Sequence, residues 1–145
     1  MLDSSSNSAT LDFSYYNDLC RKLFPTGVFN KTWDDAANGF LITSSVCFKY
    51  RSDSSVWLGF VVDDVLFVNI PKTSTITEEF NERVLSIIEF AENVLNCVSI
   101  VVSLYKTQDI VFKSYTRAFM YSGFELISPI NYHFSSDYIL LGYEI

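Results

Sequence analysis

Few residues in this chain have the type and spacing that chemistry needs. A single histidine, His133, lies in a polar stretch. Triad chemistry needs a base beside a nucleophile and a third group to orient it. No Gly-x-Ser-x-Gly accompanies His133, so it reads as a surface histidine. The cysteines Cys20, Cys47 and Cys97 are widely spaced, with no Cys-x-x-Cys or Cys/His pair for zinc or redox work. They read as reduced, core-like thiols. The glycines are isolated, so neither a Walker loop nor Gly-x-Gly-x-x-Gly is present to cradle a phosphate. The carboxylates Glu82, Glu89 and Glu92 invite a general acid/base reading. A catalytic carboxylate usually sits in an apolar cleft that raises its pKa. These three fall on the polar side of an amphipathic segment, and the pattern alone favours ordinary solvation of that side. The alternative is an acidic docking stripe for Lys and Arg of another protein. Leu85 and Phe90 would flank it at its two edges as hydrophobic anchors.

Hydrophobic periodicity names the elements that must position these residues. Phe80, Val84, Ile87, Ile88, Ala91, Val94 and Leu95 recur on one face at ~100° per residue. The opposite face carries Glu78, Glu82, Ser86, Glu89 and Asn93, with Glu92 on its flank. The pattern predicts a helix over about 77–96. Thr75 and Thr77 are both candidate N-caps, and Thr75 with Glu78 would form a capping box. Upstream, residues 56–62 and 65–70 read as strands joined by Asp63-Asp64, a hairpin by spacing and turn chemistry. Pro71 ends the second strand, because it cannot donate to a ladder.

Residues 98–104 are a near-continuous apolar run, as expected of a strand buried on both faces. A second helix over 108–122 places Val111, Tyr115, Ala118, Phe119 and Ser122 inward. Gly123 follows where left-handed backbone is needed. Residues 124–127 and 138–145 are the last strands, with a loop over 130–137. Earlier in the chain, 40–50 reads as a strand or two and 51–55 as a polar loop. Residues 13–24 read as a short helix, and 1–10 as a disordered lead-in. Strand–helix–strand–helix–strand after a hairpin predicts an α+β fold (an α/β sandwich). It has one mixed β-sheet with two main helices, in a single domain over 11–145.

Composition narrows the function classes. Hydrophobic residues make up 49% and charged residues 19%, which excludes global disorder. Aromatics at 17% leave apolar surface to spare for a partner. Lys+Arg 10 against Asp+Glu 17 gives a net charge of -7. Phosphate binding needs a basic face, and no Lys/Arg cluster offers one, so neither nucleic acid nor a membrane surface is an expected partner. A basic protein surface fits better. No apolar run approaches the ~18 residues of a transmembrane span. The first ten residues lack the basic and apolar regions of a secretory signal.

The order hairpin–helix–strand–helix resembles acyl-CoA N-acetyltransferases. That family binds the pyrophosphate of its cofactor with a Gly-containing loop leading into the helix after the hairpin. The equivalent stretch here, 71–76, reads Pro-Lys-Thr-Ser-Thr-Ile and has no glycine. Backbone amides could not approach a pyrophosphate in the same way, so no cofactor is expected. An acyl-CoA-dependent N-acetyltransferase remains the alternative reading.

A more specific resemblance covers 84–129. Ile87-Ile88-Glu89-Phe90-Ala91-Glu92, followed by Leu95, is similar to the apolar-apolar-Glu-Phe-Ala-Glu helix of ornithine decarboxylase antizymes. Lys106 follows the next apolar strand, where antizymes have a lysine. Gly123-Phe124-Glu125-Leu126-Ile127-Ser128-Pro129 matches their Gly-Phe-Glu-apolar-apolar-x-Pro segment. The likeness extends over about 56–145, with little of it in 1–50.

The resemblance implies an acetyltransferase-like fold without acetyltransferase activity, so not an enzyme. It implies a protein that binds the ornithine decarboxylase monomer one-to-one, displaces its partner subunit and delivers it to the proteasome without ubiquitin. Polyamine synthesis and uptake would fall. It also implies an antizyme inhibitor as a competing partner, a cytoplasmic and nuclear location, and synthesis through a +1 ribosomal frameshift. By resemblance, Glu89 and Glu92 match helix glutamates that contact basic residues of the decarboxylase. Lys106 matches a contact lysine and Arg117 an arginine on the second helix. Glu82 and Leu85 share the stripe, and Asn93 stands where the family has a further glutamate. Asn81 replaces a family lysine, with Arg83 close by, and Ser99 replaces a histidine. Lys106 also reads as a solvated strand-end lysine, and Arg117 as a surface charge near a helix C-terminus.

Overall fold

Asp63 and Asp64 have φ of 51° and 64°. Two left-handed residues in succession make the two-residue turn whose twist matches a hairpin, and aspartate tolerates that backbone. The turn joins β3 (Asp53–Val62) to β4 (Val65–Ile70). Around this hairpin the computed structural model describes residues 2–6, 44–50, 53–71, 76–128 and 135–145. The other elements are β1 (Leu2–Ser6), β2 (Ser44–Tyr50), α1 (Phe80–Asn93), β5 (Ser99–Tyr105), α2 (Ile110–Tyr121), β6 (Glu125–Ile127) and β7 (Tyr138–Glu144). They form one seven-stranded sheet in the order β1-β2-β3-β4-β5-β7-β6. Only β4 and β5 pair in parallel; the remaining neighbours are antiparallel. The mixed sheet with two main helices is the predicted architecture.

Two expectations are corrected near the N-terminal side. Residues 2–6 were expected within a disordered lead-in, yet Leu2–Ser6 forms β1 and pairs with β2 from Leu2↔Tyr50 to Ser6↔Val46. Residues 53–55 were expected in a polar loop, yet β3 begins at Asp53, which pairs with Tyr50 past a bulge between Lys49 and Tyr50. In both places ladder hydrogen bonds set the strand, and side-chain hydrophobicity does not report them. The helix read over 13–24, residues 40–43, Cys20, Pro129 and His133 lie outside the described residues.

α1 begins at Phe80, three residues later than expected. Thr77 acts in the turn before it: its Oγ1 accepts from the Glu79 amide at 3.3 Å and its carbonyl from the Phe80 amide at 3.2 Å. Glu79 is the N-cap residue, and Thr75 lies outside the described residues. The helix ends at Asn93, and Asn96 with φ 54° turns the chain into β5. Val94 was expected on the inner face. It follows the last helical residue and is 60% exposed. α2 is capped by Asp109, whose carboxylate accepts from the Val111 amide at 3.1 Å. Gly123 after it has φ 102°, the left-handed exit the sequence predicts.

Both helices pack on the same face of the sheet. The Phe80 ring of α1 lies 5.0 Å from Phe119 and 5.9 Å from Tyr115 of α2. Trp57 of β3 lies 6.2 to 6.4 Å from all three rings. This aromatic node, buried with Leu66, Ile100 and Leu141, locks the helices to the sheet and to each other. The opposite face of the sheet is buried as well, with Phe60 stacked on Phe67 at 5.4 Å beside Val101 and Leu140.

Candidate partner-docking surface

β4 and β5 run parallel, so the crossover between them must return antiparallel to both. α1 is that crossover. Its first turn therefore lies near the carboxyl ends of the strands, and its last turn near Ser99, where β5 begins. Phe80, Val84, Ile87 and Ala91 point into the core. At ~100° per residue the opposite direction collects Glu82, Leu85, Glu89, Glu92 and Asn93, and all five are exposed. The structure brings these five predicted residues together on one outward face. Leu85, 56% exposed, stands three residues after Glu82 and four before Glu89, in the middle of the acidic stripe and not at its edge.

Phe90 is different. It was expected as a second hydrophobic anchor, but its ring packs edge-on against Phe48 at 6.0 Å, and it belongs with the core. Lys106 is exposed just past the carboxyl end of β5, where its amide donates to the Asp137 carbonyl at 2.9 Å. That is the end where α1 starts, so Lys106 and Glu92 sit at opposite ends of this face. Arg117 is exposed on α2, which begins at the same end of the sheet.

Arg83 is close in sequence to Asn81, which replaces a family lysine. The structure buries it, 4% exposed, on the inner face of α1. Its guanidinium lies 3.8 Å over the Trp57 ring and donates to the Phe48 carbonyl at 3.3 Å. Arg83 thus clamps α1 to β2 and β3 through a cation–π contact and a charged hydrogen bond. Periodicity contained the signal: Arg83 is three residues after Phe80 and four before Ile87, both inner positions.

Other reactive groups are arranged for structure. The Ser103 hydroxyl donates to the Asn69 side-chain oxygen at 3.0 Å, an amide that cannot take up its proton. Cys47 and Cys97 are both buried, as expected of core-like cysteines. Burial, with help from the nearby Asp64 charge, pushes the Cys97 thiol up to about 11. Burial, then Tyr105 and Asp137, also raises the Tyr138 phenol. Among the described residues, no group of three or more His, Cys, Asp or Glu could hold a metal ion. Nor is any helix among them long and apolar enough to cross a membrane.

A cleft of about 200 Å³ opens at the carboxyl ends of β4 and β5, walled by Pro71, Tyr105, Phe112 and Tyr115. Asp109 is the one charged group among its described lining residues. Glu78 and Glu79 immediately precede α1 and Glu82 lies in its first turn, in sequence positions where a phosphate-binding helix presents bare amides. Three carboxylates there repel a pyrophosphate.

A family model described as ornithine decarboxylase antizyme matches residues 42–145, well over half of the chain. The chain belongs to the ornithine decarboxylase antizyme family. The match starts before position 56, so it also takes in β2, where the sequence shows little likeness. An ornithine decarboxylase antizyme of Aedes aegypti is 30% identical over a 92-residue alignment, and the match covers 58% of this chain. The chain spans 38% of that relative's length. Among solved structures, a Bacillus subtilis acetyltransferase in complex with CoA superposes with a TM-score of 0.52 at 13% identity. The alignment covers 100% of this chain and 99% of that one. At that identity the likeness shows the acetyltransferase-like fold alone.

Proposed function

We propose that this chain is a docking inhibitor of ornithine decarboxylase that uses the outward face of α1. Glu82, Glu89 and Glu92 steer association with a basic surface of the decarboxylase monomer, and Leu85 then makes apolar contact among them. Lys106 and Arg117 contribute at the periphery. Binding excludes the second decarboxylase subunit, and an active site shared between subunits is then lost. The bound monomer goes to the proteasome without ubiquitin, so polyamine synthesis and uptake fall, and an antizyme inhibitor competes for the same face. The work takes place in the cytoplasm and nucleus, and the chain itself performs no catalysis.

The observation that carries this reading is the position of Leu85, an exposed leucine between Glu82 and Glu89 on a helix of an antizyme-family chain. A docking face needs an apolar centre inside a charged rim, and Leu85 supplies one. Acyl-CoA-dependent acetyl transfer is disfavoured by the carboxylates Glu78, Glu79 and Glu82 at the start of α1. The test mixes the purified protein with ornithine decarboxylase of its own organism and follows activity together with mass by light scattering. Loss of activity as a one-to-one heterodimer replaces the homodimer is the expected result. An active, intact homodimer at excess inhibitor would overturn the reading.

A further inference from the structure

The cleft at the carboxyl ends of β4 and β5 has no part in docking through α1. The two strands stay paired as far as Ile70↔Leu104, and these residues form the cleft floor. Pro71 and Tyr105 continue the two strands as walls, and Phe112 and Tyr115 of α2 make the remaining side. Two of the rings are held from behind. Tyr105 packs edge-on against Tyr138 at 5.3 Å, and Tyr115 lies 5.9 Å from Phe80 and 6.3 Å from Trp57. Walls fixed in this way need little ordering when a ligand arrives.

The polar part of the cleft has one sign. Asp109 is exposed, and it is the sole charged residue among the described lining residues. Its carboxylate accepts from the Val111 amide at 3.1 Å. A carboxylate has about four acceptor sites, so most remain for a ligand. This cap also sets a full negative charge against the roughly half positive charge of a helix start, and the local sign is negative. Thr107 adds a hydroxyl, whose oxygen accepts from the Asp109 amide at 3.1 Å. Lys106 stands between Tyr105 and Thr107 in sequence but does not line the cleft. An anion would therefore meet Asp109 with no counter-charge. A cation meets a carboxylate and aromatic walls, the combination that recognises organic ammonium ions. The volume of about 200 Å³ exceeds the ~150 Å³ that takes benzene, so about five to eight non-hydrogen atoms fit.

We propose that this cleft binds a short primary alkylammonium ion. The ammonium donates to the Asp109 carboxylate and the Thr107 hydroxyl oxygen, and the alkyl chain lies over Ile70 and Leu104 between Pro71 and Phe112. One cationic head is favoured over two. A second ammonium at the inner end would be desolvated among apolar side chains, with no charged partner among the described lining residues. The site is independent of the outward face of α1, so it stands or falls apart from decarboxylase docking.

The test titrates n-butylammonium chloride into the full chain and follows backbone amide shifts by NMR. The matched probes are n-butanol, n-butyrate and the corresponding α,ω-diammonium ion. Saturable binding with a Kd of about 1 mM or tighter is expected, with the largest shifts around Tyr105, Asp109 and Phe112. The neutral and anionic probes should bind at least about tenfold more weakly, because neither is attracted by Asp109. Asp109→Asn keeps a capping oxygen for α2 while removing the charge, and it should weaken binding about tenfold or more. Phe112→Leu keeps an apolar wall without the ring and should weaken it about two- to fivefold. No saturation by about 20 mM, equal binding of n-butanol, or an Asp109→Asn affinity within about twofold of the parent's would each overturn the site. Tighter binding of the diammonium than of the monoammonium would overturn the single-headed assignment.

Discussion

Replacing Glu89 and Glu92 together by lysine probes the docking surface with little risk to the fold. Both side chains are exposed on the outer side of α1, away from Phe80, Val84, Ile87 and Ala91. The last turn of α1 holds no basic residue, so lysines near it complement the helix dipole. Each substitution adds two positive charges, and the net charge moves from -7 by +4 to -3. Exposed ion pairs contribute ~0.2–1 kcal/mol each, and charge pairs desolvated at an interface contribute more. Losing two attractions and creating two repulsions therefore costs about 2–4 kcal/mol, a ~30- to ~1,000-fold rise in Kd. The assay titrates inhibitor against decarboxylase activity at low and moderate salt, with circular dichroism and thermal melting as fold controls. The parent's affinity should fall with salt, and the variant's should be weak and nearly flat, because the steering charges are gone. A folded double variant whose Kd stays within about threefold of the parent's refutes docking through this face.

Further outcomes follow from the same geometry. Calorimetry with acetyl-CoA should show no binding heat, since Glu78, Glu79 and Glu82 hold the helix start where a pyrophosphate would sit; saturable binding would revive the transferase reading. Cys97 should alkylate about 100-fold more slowly at pH 8 than in the denatured chain, because burial shifts its ionisation from 9.0 to about 11. Stability linked to this thiol is whole below pH 9 and lost as pH rises toward 11, and peptide mapping of the labelled protein checks the rate. Gly123→Ala should cost ~1 kcal/mol or more in denaturant unfolding, since φ of 102° strains any side chain and the Tyr143 ring lies 3.3 Å from the added Cβ. Phe119→Ala, which empties the node shared with Trp57, Phe80 and Phe124, should cost ~3–5 kcal/mol by the same measurement.

Much of the architecture was legible because it is local. The Asp63-Asp64 hairpin, the apolar run that became β5 and the Gly123 exit are each specified by a few neighbouring residues. The errors were also physical. β1 and the first residues of β3 are held by backbone ladders, which leave no hydrophobic pattern. The start of α1 shifted from 77 to 80 because Thr77 bonds in the preceding turn and not within the helix. The acidic stripe was visible as a period, but whether Phe90 or Leu85 could anchor a partner was not. Both are large and apolar, and only packing against Phe48 distinguishes them.

By itself the sequence determined the α+β class, the acidic face of α1 and the family likeness carried by Ile87–Glu92, Lys106 and 123–129, because periodicity and motif spacing are properties of the chain alone. Tertiary structure decided what those residues meet. It placed Arg83 inside, over Trp57, and left Leu85 exposed between Glu82 and Glu89. It also set α2 beside α1, with Phe119 against Phe80. Burial and adjacency depend on residues far apart in the chain, here β2, β3 and α2 acting on α1, and no local pattern contains that information.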